Sequence, residues 1–291
     1  MSGFLSELGK KLAERWLSLL VLPGALFIVT GIIAAWLGHR HALDAQRVIA
    51  RANSLAEPHP SPGTIVLLAA VALAAAALAG LVAQVLGALV EALCVAEDWQ
   101  RWVAPARIAA RVLTARRQRL WTASTDPTNR SVEMPNRPTS IGDRIDTVGA
   151  RLRRQYALEI ADVWTYLWLV ASEPMRSEVT LARAAIRDST VMVGWGVMYL
   201  AVGLSWWPAL AIGFVCWVGG YRHTRTATDA YARSVEALAV LQARQLAQSV
   251  GLAGEGPLDR RTGTALSLLA QGRGDEIRLL PPAENLGIPP A

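Results

Sequence analysis

Three of the four histidines, His39, His41 and His59, share one polar stretch with Asp44 and Glu57. A His-x-His pair joined by a third imidazole and a carboxylate is a donor set for a transition metal. Imidazoles in a solvated loop are also groups whose charge changes near neutral pH. No cysteine sharpens the set, and a loop in water accommodates histidine without any role, so no metal and no other cofactor is expected. Gln84 and Glu91 are the second chemical candidates, an amide and a carboxylate at the end of a long alanine- and glycine-rich run. Polar groups at the end of an apolar segment are candidates for the wall of an ion path. The bland alternatives are an ion pair between Glu91 and a nearby arginine, and a hydrogen bond from Gln84 to a neighbouring helix. The patterns HExxH, GxSxG, CxxC and GxGxxG do not occur, and the expectation is a protein without catalytic activity.

These residues are positioned by three apolar runs that contain no charged side chain: Leu17–Leu37, Thr64–Val90 and Val191–Tyr221. A bilayer core of ~30 Å needs only ~20 helical residues, and each run is at least that long. Hydrophobic residues make up 53% of the 291, charged residues 18% and mean hydropathy is +0.29, against roughly 25% charged residues in ordinary soluble domains. The composition points away from a soluble globular protein. The two cysteines, Cys94 and Cys216, lie in or beside the runs and do not form a disulfide framework.

The expected fold is an all-α polytopic membrane protein with two transmembrane hairpins, four spans in all, and a cytoplasmic helical layer. Residues 1–16 read as an amphipathic interfacial helix, with Phe4, Leu5, Leu8, Leu12 and Trp16 on one stripe. Residues 17–37 are the first span, bracketed by Trp16 and Trp36 at the spacing of two aromatic belts. Residues 38–63 form an external polar loop and 64–90 the second span. Residues 91–190 are a cytoplasmic helical region with a Pro/Thr/Asn/Asp-rich linker at 122–147, helical patterning returning near Ala150 and breaking at Pro174. In the third run, Ser205-Trp206-Trp207-Pro208 marks a turn, giving short spans at 191–205 and 208–221 with Trp206 and Trp207 at the far interface. The competing reading is one kinked span. A cytoplasmic helix at 222–250 and a largely disordered tail at 251–291 complete the chain. Of the 29 basic residues all but Arg40, Arg47 and Arg51 then fall on the inner side, which puts both termini in the cytoplasm of a cell (inner) membrane protein.

Along the second span, Ala69, Ala72, Ala76, Gly80, Ala83 and Gly87 recur every three or four residues and lead to Glu91. Membrane helices associate across such small residues, so this face is expected to pack against another span or against its copy in a homo-oligomer. The stretch Asp162–Ala171, with Trp164, Tyr166 and Trp168, is too short to span and reads as core of the cytoplasmic layer. A basic helix with Arg107, Arg111, Arg116, Arg117 and Arg119 beside Ile108, Val112 and Leu120 is suited to anionic lipid head groups. Nucleic acid is not an expected partner, because no aromatic reading surface accompanies the arginines. The order hairpin, cytoplasmic helices, hairpin, tail is similar in outline to bestrophin-type anion channels, a likeness of topology without a shared motif. Two functions follow as expectations. One is a homo-oligomeric channel or pore-forming effector gated from its cytoplasmic region. The other is a non-catalytic scaffold or accessory subunit that recruits a cytoplasmic protein partner.

Overall fold

The computed structural model describes residues 7, 21–56, 61–95, 104–123, 137, 139–252 and 258–280. The amphipathic segment with Trp16, the histidine His59 and most of the 122–147 linker lie outside them. The described residues are 88% helical and contain no strand. In chain order the helices are α1 (Leu22–Leu37), α2 (Ala45–Ala56), α3 (Pro62–Val95), α4 (Ala104–Ala123), α5 (Ser140–Tyr156), α6 (Ile160–Val170), α7 (Glu173–Gly203), α8 (Trp207–Ser249) and α9 (Arg260–Ala270), followed by a 3₁₀ turn at Gly274–Leu279.

The helix boundaries follow from local chemistry. Pro23 stands in the first turn of α1, where a missing N–H costs nothing. Gly38 ends that helix at a φ of 57°, open to glycine without strain, and its N–H bonds the Ala34 carbonyl. Ser61 starts α3, its hydroxyl accepting from the Thr64 N–H at 3.3 Å. Thr139 caps α5 by accepting from the Gly142 N–H, and Asp259 caps α9 by accepting from the Thr262 N–H at 2.8 Å.

Several sequence expectations shift. Residues 45–56, expected as loop, form α2, started by Asp44 accepting from the Arg47 N–H. Within the expected linker, residues 140–147 are the first half of α5, because the Thr139 cap and Asp143 in the first turn suit a helix start better than the preceding composition suggests. The break expected at Pro174 falls just before it, between Val170 and Glu173, and Pro174 itself sits in the first turn of α7. The tail is not wholly irregular, since α9 and its 3₁₀ turn occupy residues 260–279, with α9 packed on α5 and α6. Averaging forty glycine- and proline-rich residues hid the capped, amphipathic dozen among them.

The chain divides into two compact units, residues 1–91 with 187–223, and residues 92–186 with 224–291. In the first unit α7 and α8 form an antiparallel hairpin. A Cβ placed on Gly220 would lie 2.9 Å from the Val193 nitrogen, one on Gly196 2.8 Å from the Trp217 nitrogen, and one on Gly213 2.8 Å from the Leu200 nitrogen. Partners recede along α7 as they advance along α8, so the chain reverses at Leu204–Trp206, and the single kinked helix is excluded. The core here is small, with Ala79, Ala83, Trp195, Tyr199 and Ala209 buried together and Phe27 against them. Among the described residues only α3 is both long and apolar enough to cross a bilayer; 17% of its most apolar stretch is buried.

The second unit has an ordinary hydrophobic core. Leu152, Leu158, Val163, Leu167, Leu238 and Leu266 are almost wholly buried, drawn from α5, α6, α8 and α9 and the turn between α5 and α6. Gly263 lets α9 lie directly on the Tyr156 carbonyl, a position any Cβ would occupy. Arg176 closes the end of α6 by donating to the Ala171 carbonyl at 2.9 Å.

Candidate functional site

The small-residue face of α3 is covered at four of its six positions. Ala76, Gly80, Ala83 and Gly87 are buried, whereas Ala69 and Ala72, in the first turns of α3, are exposed. Gly24 of α1 rests on the Ala76 carbonyl and Gly194 of α7 on the Ala83 carbonyl. A Cβ on Gly87 would lie 2.8 Å from both the nitrogen and the Cα of Val191. Such contacts bring backbones to the closest approach helices can make. Beside this seam Phe27 meets Tyr199 edge-on at 5.3 Å and Trp195 at 5.9 Å. The Thr30 hydroxyl donates to the Leu26 carbonyl at 2.8 Å. Gln84 and Glu91 are both half-buried, and Glu91 follows Gly87 by one turn. The seam itself, closed backbone to backbone, leaves no room for an ion along it.

One end of the first unit is tied across the chain. The Trp206 indole donates to the Ala42 carbonyl at 2.9 Å, and His39 Nε2 lies 2.8 Å from the Leu204 carbonyl oxygen. The stretch after α1 and the α7–α8 turn are thus joined. Trp36 is half-buried and Trp207 exposed. His39 is engaged in this tie, His41 is exposed, and among the described residues no three of His, Cys, Asp and Glu gather as metal ligands.

The second unit holds a concave feature with convergent charge. A cleft of about 800 Å³ opens between α5, α6 and α8. At one end stands Arg137, 5% exposed. Its guanidinium forks onto both oxygens of Asp146, and the Arg137 backbone N–H donates to Asp143 Oδ1 at 2.8 Å. Arg117 of α4 binds Asp143 Oδ2 at 2.6 Å and the Arg137 carbonyl at 2.8 Å. The same corner receives the Cys94 carbonyl of α3, which accepts from the Thr139 hydroxyl at 2.6 Å. A side chain on Gly142 would collide with that carbonyl. At the other end Trp164 and Tyr231 are shared with a neighbouring hollow of about 400 Å³ lined by Trp168 and Arg183. Trp164 and Trp168 stand 5.7 Å apart, tilted 34°, and the Arg183 guanidinium lies 6.0 Å over the Tyr231 ring, the outer limit of a cation–π contact. The aromatic stretch expected as core therefore has two sides: Leu167 is buried, while Tyr166 and Leu169 face outward. Sequence reading missed Arg137 altogether, because a residue inside an irregular stretch announces nothing of partners six and nine positions on. The Thr139-x-x-Gly142-Asp143 start of α5 was the available signal.

No protein-family model, no curated protein and no solved structure matches the chain.

Proposed function

We propose that this chain is an integral protein of the cell membrane, with its first unit embedded as four helical crossings and its second unit forming a helical layer on the cytoplasmic side. The observation that carries this reading is an inverted distribution of side chains in the first unit. Its interior is mostly alanine and glycine with a few larger residues, while many large apolar residues point out: Leu22, Leu26 and Val29 of α1, Leu68 and Leu78 of α3, Phe214 and Val215 of α8. In water each such residue would favour burial by about 1.5–3 kcal/mol, and a soluble fold would have turned them inward. Lipid removes that drive, and close small-residue packing is then what holds helices together. The tie of Ala42 and His39 to the α7–α8 turn supports a topology with both connections at the outer face and both termini inside. Alkaline phosphatase fused after Pro208 should be active, and fusions near Thr139 and at Ala291 inactive. An active fusion at Ala291 would reverse the inner assignment of the C-terminus.

Within this frame the protein acts as a homo-oligomeric channel or pore-forming effector, without catalytic activity, controlled by the cytoplasmic unit. Exposed Ala69 and Ala72 continue the small-residue face beyond what the described residues cover, which supports association with further copies. Since the intrachain seam is closed, the path runs between copies, with Gln84 and Glu91 as its polar residues. Ion flux from liposomes holding the purified protein tests this directly. Glu91→Gln should shift the reversal potential toward anions through the lost negative charge, and Gln84→Leu should lower conductance. Absence of flux at any voltage would leave the second reading, a membrane scaffold that recruits a cytoplasmic protein. The closed packing of the single chain and the charged and aromatic cleft of the second unit favour that reading.

A further inference from the structure

Helix α4 carries five arginines and no acidic residue over twenty positions. One side of it is used by the second unit. Ala110 and Thr114 are buried there, and Arg117 is held by Asp143. The rest of its surface presents Ile108, Val112, Leu113 and Leu120 at 59%, 62%, 49% and 63% exposure, together with exposed Arg111, Arg116 and Arg119. Ile108, Val112, Arg116 and Leu120 follow one another at four-residue steps, so aliphatic and cationic groups share a single stripe. A face meant for nucleic acid gains nothing from four exposed aliphatics, and a solvated face does not need them. An anionic bilayer surface uses both, guanidinium groups meeting phosphates while the aliphatic chains enter the zone between head groups and acyl chains. Chain length permits the placement: Ala104 follows Val95, the last residue of the apolar helix α3, by nine peptide steps, which reach at most about 30 Å.

We propose that α4 is an interfacial helix that docks onto anionic lipid of the inner leaflet, so that its engagement depends on lipid charge. The proposal rests on the membrane reading given above. The test uses the full chain with Cys94 and Cys216 replaced by serine and Val112→Cys carrying an environment-sensitive fluorophore. The protein is reconstituted in vesicles of phosphatidylcholine alone or with phosphatidylglycerol. The label should shift to the blue and resist iodide quenching only when phosphatidylglycerol is present. High salt, or the triple change Arg111→Gln, Arg116→Gln and Arg119→Gln, should lower the docked-to-undocked ratio more than about tenfold, given the ~1 kcal/mol each basic group draws from an anionic surface. A label at Gln248→Cys, on an exposed part of α8, should report the same environment in both lipids. A Val112 label open to iodide in both lipids would overturn the proposal. A label protected equally in both lipids and in detergent would also overturn it, in favour of a protein face such as a second copy. Flotation with vesicles after alkaline washing keeps the two readings apart: a chain that washes off refutes the membrane embedding, whereas one that stays with an exposed label refutes only the docking of α4.

Discussion

Gly87→Leu is expected to prevent the first unit from closing. The new Cβ would stand 2.8 Å from the backbone nitrogen and Cα of Val191, and backbone at a helix crossing does not yield as a flexible side chain does. Overpacking of this kind costs about 3 kcal/mol or more. Even Gly87→Ala carries most of the collision, because the clash arises at the first carbon. Leu81→Ala, a truncation on the exposed side of the same helix, should cost less than about 1 kcal/mol. Thermal unfolding of the detergent-solubilised variants and cross-linking in membranes compare the two. Equal losses at Gly87 and Leu81 would mean that the α3–α7 approach does not hold the unit.

Arg137→Ala should produce the largest effect in the second unit. Its guanidinium is nearly buried and forks onto Asp146, and removing one partner of a buried pair costs about 3–5 kcal/mol. Asp146 is itself 41% exposed, so water recovers part of its solvation and the expected loss falls to about 2–3 kcal/mol. For a unit of this size that corresponds to a midpoint about 5–10 °C lower. Arg137→Lys should recover less than half, because an ammonium cannot make the fork. A variant with an unchanged melting profile would show that the α5 start is held by the Thr139 cap and Arg117 alone.

The helical class and a chain reversal near Trp206 were legible because each rests on local signals. Runs of apolar residues fix helices, and a tryptophan pair followed by proline breaks one and starts the next. The small-residue periodicity of α3 was also visible, but its partners were not. Gly24, Gly194, Gly196, Gly213 and Gly220 make the close approaches, and a glycine in a sequence does not say which backbone will lie against it. The same holds for Arg137, whose importance comes from Asp143, Asp146 and Arg117 converging on it in space. α2 and α9 were hidden for a different reason. Their caps, Asp44 and Asp259, are local and readable, yet they sit in stretches whose average polarity suggests loop. Position-specific capping chemistry outweighed composition at both places.

The packing of α9 on α5 and α6 has a consequence for how the protein is made. The surface that α9 covers belongs to residues 140–170, and the helix that covers it spans residues 260–270. A ribosome adding ~5–20 residues per second needs roughly 5–20 s to translate the hundred or so residues in between. During that interval the nascent chain carries Leu158 and its neighbours without their cover. Completion of the second unit is therefore a late event in biogenesis, and the interval before it is when its apolar core is open to wrong partners.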